Sequence, residues 1–175
     1  MKVAFDEHVP KDVARALEAL SGENRLLRVT LHSARSYAVP RAPSDVPWLE
    51  QFAKAGGKVV VSGDAKMRGK LHEQRALSAA GFVVFFLARP WNQMKCHEKC
   101  AMLIRWWPLI LEKIEAAQPG QFFEIPHSWN STTMREVTPP SHLRKKPGRK
   151  KEAHDDHTEE IGTTEELGTS VEAAS

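Results

Sequence analysis

Three aspartates stand where a sheet protein would place reactive acids. Asp6 closes the apolar run K2-V3-A4-F5-D6, and Asp64 follows K58-V59-V60-V61-S62 after a single glycine. Asp45 precedes a helix-like stretch that begins at Val46 and Pro47. Side chains at the carboxyl ends of neighbouring parallel strands converge on one crevice, so acids far apart in sequence can meet there. Gathered together, three carboxylates would repel one another and take up protons unless a cation neutralised them. Mg²⁺ or Mn²⁺ suits an all-oxygen site and retains several waters. Such an ion could activate a water and offset charge on a phosphodiester, so Asp6, Asp45 and Asp64 are expected to be metal-binding and catalytic. Each also has a plainer reading: Asp45 as a helix cap, Asp64 as turn chemistry beside Gly63, and Asp6 as an acid that must be solvated or paired.

Cations surround these acids in the chain. Lys66, Arg68 and Lys70 follow Asp64 in a segment punctuated by Gly69, and Arg35 and Arg41 precede Asp45. They are candidates for holding phosphates, with a solvated helix start as the plain alternative. In R89-P90-W91-N92-Q93, Arg89 could meet phosphate, Trp91 could stack on a base and Asn92 could donate a hydrogen bond. Packing to close a loop is the ordinary role of such a tryptophan. His32, beside Ser33, is a candidate for the rim.

Positioning these groups requires strands alternating with helices. After the first strand, a helix from Pro10 carries Val13, Leu17 and Leu20 on one face and ends at Gly22; a second strand runs from Arg25 to Leu31. Residues 32–44 read as a loop, and a helix from Ser44 or Asp45 stops at Gly56-Gly57. The strand at 58–62 is followed by a helix from Met67 to Ala80 and a strand at 82–87. A long helix from Met94 to Ala117 and an edge strand at 121–125 complete the series. Short, all-apolar strands between helices predict an α/β fold, its mostly parallel sheet covered on both faces.

Composition sets the domain plan. Every Trp, Phe and Tyr lies at or before Trp129, which predicts a folded domain at 1–129 and a charged, disordered tail at 130–175. Residues 1–130 carry 18 Lys or Arg against 13 Asp or Glu, a mild excess that allows a polyanionic partner. The tail holds the basic block R144-K145-K146-P147-G148-R149-K150-K151, followed by an acidic stretch. Two cysteines are too few for a disulfide scaffold, which points to a reducing cytoplasm. Apolar runs fall short of a bilayer span, so no membrane partner is expected.

C96-H97-E98-K99-C100 suggests zinc by its spacing, yet Cys96, Cys100, Leu103, Trp107, Ile110 and Ile114 form one helical stripe. Both cysteines are then expected on the face against the sheet. Pro108 should kink or divide that helix. Trp106 and Trp107 beside it either form a surface for a second copy, giving a homodimer, or fill the core.

The opening K2-V3-A4-F5-D6-E7-H8-V9-P10 resembles the start of small PIN-like domains, in which an Asp-Glu pair ends the first strand. The block from Ser44 through Asp64 is similar to the helix and strand of the same family. The likeness covers residues 1–90 and implies a three-layer α/β/α fold. It also implies a Mg²⁺- or Mn²⁺-dependent ribonuclease, the toxin of a toxin–antitoxin pair, with an antitoxin protein over its cleft. Lys66 departs from the pattern, since many PIN domains carry a further Asp there. That departure favours the alternative, a noncatalytic RNA-binding or regulatory member.

Overall fold

The computed structural model describes residues 1–23, 30–37, 42, 44–64 and 66–137. Its contacts divide the chain into Met1–Arg144 and Lys145–Ser175, and every described residue belongs to the first unit. Arg41, the expected strand start at Arg25 and the basic block from Arg144 lie outside the described residues.

Five strands run parallel: β1 (Lys2–Phe5), β2 (Thr30–Ser33), β3 (Gly57–Ser62), β4 (Val83–Leu87) and β5 (Phe122–Ile125). A sixth, β6 (Arg135–Val137), pairs antiparallel with β5. The spatial order is β2-β1-β3-β4-β5-β6. The chain therefore moves one way from β1 to β2 and returns past β1 to β3. That reversal opens a crevice at the carboxyl ends of β1 and β3.

Alternation along the strands feeds two separate cores. Val3, Phe5, Val59, Val61, Val83 and Phe85 pack with helices α1 (Lys11–Glu23) and α4 (Cys96–Ala116). Ala4, Val60, Val84 and Phe86 face the opposite way, against α2 (Val46–Lys54) and α3 (Leu71–Ala79). A sheet buried on both faces can be apolar at every position, as in the three consecutive valines of β3. The architecture is a three-layer α/β/α sandwich.

Several boundaries differ from expectation for local reasons. Helix α1 continues through Gly22 to Glu23. Within the expected loop, Ala34–Tyr37 forms a short 3-10 helix. Helix α3 begins at Leu71 because the Lys66 carbonyl accepts the amides of Gly69 and Lys70, closing a turn that buries Met67. Strand β5 is interior, since β6 lies outside it, past the last aromatic residue. Backbone pairing at a sheet edge asks little of side-chain hydrophobicity, which explains the missing sequence signal.

Helix α4 runs through Pro108 without dividing. Pro108 and Ile104 are both exposed, so the carbonyl deprived of its partner lies on the solvent side of the helix. Trp106 and Trp107 are buried in their own domain, which removes them as a surface for a second copy. Cys100 packs partly against the core, but Cys96 is exposed, one turn too early to reach the sheet.

Candidate functional site

The crevice between β1 and β3 holds the first acid in a closed network. Asp6 is 6% exposed, and both of its carboxylate oxygens accept protein hydrogen bonds. Oδ1 takes the His8 amide at 2.9 Å, while Oδ2 takes the Asp64 amide at 3.0 Å and the Ser62 hydroxyl. Burial pushes the Asp6 carboxyl above its ordinary pKa, against the opposing effect of the Ser62 hydroxyl and the amides of Gly63, Asp64 and His8. Gly63 makes this approach of two strand ends possible, because a side chain there would meet His8 Cβ at 2.9 Å.

The other two acids have internal partners as well. Asp45 occupies the residue before α2, yet its side chain caps no backbone amide. Its Oδ1 instead accepts the Trp48 indole N–H at 3.1 Å, fixing a ring buried under the sheet. Asp64 turns its Oδ1 back to the Lys66 amide at 2.7 Å, a local turn. Asp6, Asp45 and Asp64 do line one small cleft of about 80 Å³, together with Glu7, His8 and Trp48. Sharing a wall is a weaker condition than converging on one point.

Lys70 supplies the positive charge near these acids. Its ammonium donates to Glu73 Oε1 at 2.8 Å, and the Glu73 side chain is fully buried. Its pKa is raised, chiefly by the hydrogen bond to Glu73, with the charges of Glu73, Asp45 and Asp64 adding to the effect. A cation of the chain itself thus acts on Asp45 and Asp64.

A second, open groove of about 640 Å³ adjoins the acid cleft and shares His8 and Asp64 with it. Lys66, Arg89, Asn92 and Lys99 complete its walls. Lys66 and Arg89 are exposed, and Lys66, Arg89 and Lys99 form no ion pair among the described residues. Arg68 and Lys70, also expected to meet phosphate, are occupied differently: Arg68 pairs with Glu124 and Lys70 with Glu73.

Trp91 must be corrected. It is fully buried, and its indole donates to the Ile125 carbonyl at 3.2 Å, so it closes a loop onto the sheet and cannot stack on a base. His32 packs against the rings of Tyr37 and Phe52. Sequence reasoning missed Ser62 and Lys99. A hydroxyl ending an otherwise apolar strand was the available signal for Ser62. Lys99 stood inside a Cys-His motif that drew attention to its neighbours.

The metal-dependent reading is overturned. Among the described residues, no group of three or more His, Cys, Asp or Glu is placed to hold a metal ion. The reason lies in the partners: Asp6, Asp45 and Asp64 direct oxygens to donors of the protein itself. The expected Mg²⁺ or Mn²⁺ therefore has no fitting ligand set here. With it goes the metal-dependent ribonuclease.

No helix among the described residues is long and apolar enough to cross a membrane. No curated protein and no solved structure matches the chain. One family model, described as "PIN like domain", matches residues 1–89, a span that carries the acid cleft and ends on Arg89 of the basic groove. That match covers more than half of the 175 residues, and the chain belongs to the PIN-like domain family.

Proposed function

We propose that this chain is a noncatalytic RNA-binding member of the PIN-like family, which grips a single strand by its phosphates. The observation that carries the reading is the contrast at the β1–β3 crevice. The acids are engaged by internal donors, while Lys66, Arg89 and Lys99 stand in an adjoining groove without ion-pair partners among the described residues. Cations on the wall of an open groove attract polyanions and hold their phosphates, and Asn92 adds a neutral donor. The supply of positive charge within the groove needs no metal.

The test uses the full chain and a fluorescein-labelled 12-nucleotide single-stranded RNA, followed by anisotropy across a salt series. Substituting Lys66, Arg89 and Lys99 together with Ala removes about three phosphate contacts. The slope of log affinity against log salt should then fall by roughly 2, at about 0.7 per contact for a single strand. The RNA should be recovered at full length after incubation. Binding insensitive to the triple substitution would sink the reading, as would cleavage by wild type that Asp6→Asn abolishes in a folded protein.

A further inference from the structure

A third cleft lies on the other side of the first turn of α4. It encloses about 380 Å³ and is lined by Met94, His97, Glu98, Ala101, His127 and Trp129. Trp129 is 53% exposed, well above Leu71 at 38% and Ile104 at 36%, the other exposed large apolar side chains among the described residues. A tryptophan on a surface is not a site by itself, but this one is braced. The Arg105 guanidinium carbon lies 5.6 Å from the Trp129 ring centroid, and Arg105 Nη2 donates to the Ser131 carbonyl at 3.0 Å. The turn beneath is tied by the Ser131 amide on the Ser128 carbonyl at 3.2 Å and the Asn130 amide on Ser128 Oγ at 3.3 Å. An indole held this way loses little freedom when a flat ligand covers it.

We infer that this cleft receives an unstacked nucleobase of the strand whose phosphates lie in the basic groove. The inference rests on the RNA-binding reading and adds the means by which bases, as distinct from backbone, are held. Along residues 92–99 the two clefts interleave: Asn92 and Lys99 face the basic groove, and Met94, His97 and Glu98 face the apolar cleft. The start of α4 thus walls both clefts, and a strand in the groove passes beside the cleft that holds Trp129.

The chemistry of the walls fits a base. Indole and imidazole rings offer flat faces, and every base has a π-face to place against them. Glu98 uses Oε2 to accept the Lys95 amide at 2.6 Å, which leaves Oε1 able to accept from an exocyclic amine. Trp129 lies outside residues 1–89, the span that the family model matches.

The experiment compares two labelled 12-mers, one of single-stranded RNA and one with the same ribose-phosphate backbone but no bases. Wild type should bind the base-bearing strand about tenfold more tightly. Trp129→Ala should abolish that preference and leave affinity for the base-free strand unchanged, while Trp129→Phe keeps most of it. The Lys66/Arg89/Lys99 triple substitution should weaken both strands alike. A Trp129→Ala protein that retains the preference overturns the inference while RNA binding stands. Wild type that binds neither strand overturns the RNA reading and this inference with it. Sedimentation showing a dimer that dissociates on Trp129→Ala assigns the cleft to a second copy and also overturns it.

Discussion

The acid cleft and the basic groove share His8 and Asp64, yet they have opposite constructions. The first is small and internally satisfied: its carboxylates accept from a hydroxyl, an indole and backbone amides. The second is eight times larger, about 640 against 80 Å³, and its cations have no ion-pair partner among the described residues. Topology explains why both lie at this sheet edge, because the reversal between β1 and β3 opens a crevice there whatever side chains line it. What each cleft does is decided afterwards, by whether its polar groups already have partners. A buried carboxylate with three donors belongs to the architecture. An exposed cation with none is available to a ligand.

That contrast predicts unequal costs of truncation. Asp6→Ala leaves the Ser62 hydroxyl and the His8 amide without their acceptor, and the Asp64 amide with Ser62 Oγ alone, in a site that is almost fully buried. Stability measured by urea unfolding should drop by about 3 kcal/mol, as several donors lose their partner at once. Arg89→Ala, at the exposed wall of the groove, should stay within about 0.5 kcal/mol of wild type. Equal effects from the two substitutions would break the distinction.

Lys70 sharpens it further, because this cation lies on the internal side. It is the hydrogen-bonded partner of a fully buried Glu73, and the second Glu73 oxygen has no partner among the described residues. Lys70→Met would leave that carboxylate, among the described residues, with only the His72 imidazole nearby, 3.6 Å from Oε1. The expected loss is about 2 kcal/mol, below the usual value for a broken buried pair because the lysine end is itself part-exposed. Adding Glu73→Gln should recover much of the loss by removing the buried charge. A double variant no more stable than Lys70→Met alone would show that the cost lies in packing.

The sequence made the scaffold legible and the chemistry only partly so. Periodicity placed α4 and the apolar strands because a doubly covered sheet demands apolar residues on both faces. The carboxyl-end rule placed Asp6 and Asp64 at one edge although they are 58 positions apart. Residue type could not reveal where the lone pairs would go. Asp45 reads as a cap from its position, and only the fold brings Trp48 to it. Trp91 and Trp129 show the same limit in opposite directions. Both are tryptophans in polar stretches of the chain, yet one is fully buried and the other 53% exposed. Burial is a property of the assembled layers, and neighbouring residues in the chain carry little of it.

The smallest expected effect concerns pH, and its sign follows from burial. The folded-state pKa of Asp6 lies above the ordinary 3.8, chiefly because burial penalises the charged form. Folding therefore favours the protonated carboxyl. Its contribution to stability is fully present below the unfolded pKa and is lost as pH rises from about 4 through the folded value. Asp6→Asn cannot ionise, so the stability difference between wild type and this variant should move in favour of Asn across that window. The absolute difference is uninformative, since an amide nitrogen would meet the donors that Oδ2 now accepts. Only the slope isolates ionisation. Both proteins should carry His8→Ala, so that the imidazole 3.9 Å from Asp6 contributes nothing to the difference. A flat difference would mean that the donors around Asp6 cancel the cost of burying its charge. A slope of the opposite sign would mean that they exceed it. In that event the closed cleft would be a preformed anion-stabilising pocket, and its distinction from the basic groove would lie in size alone.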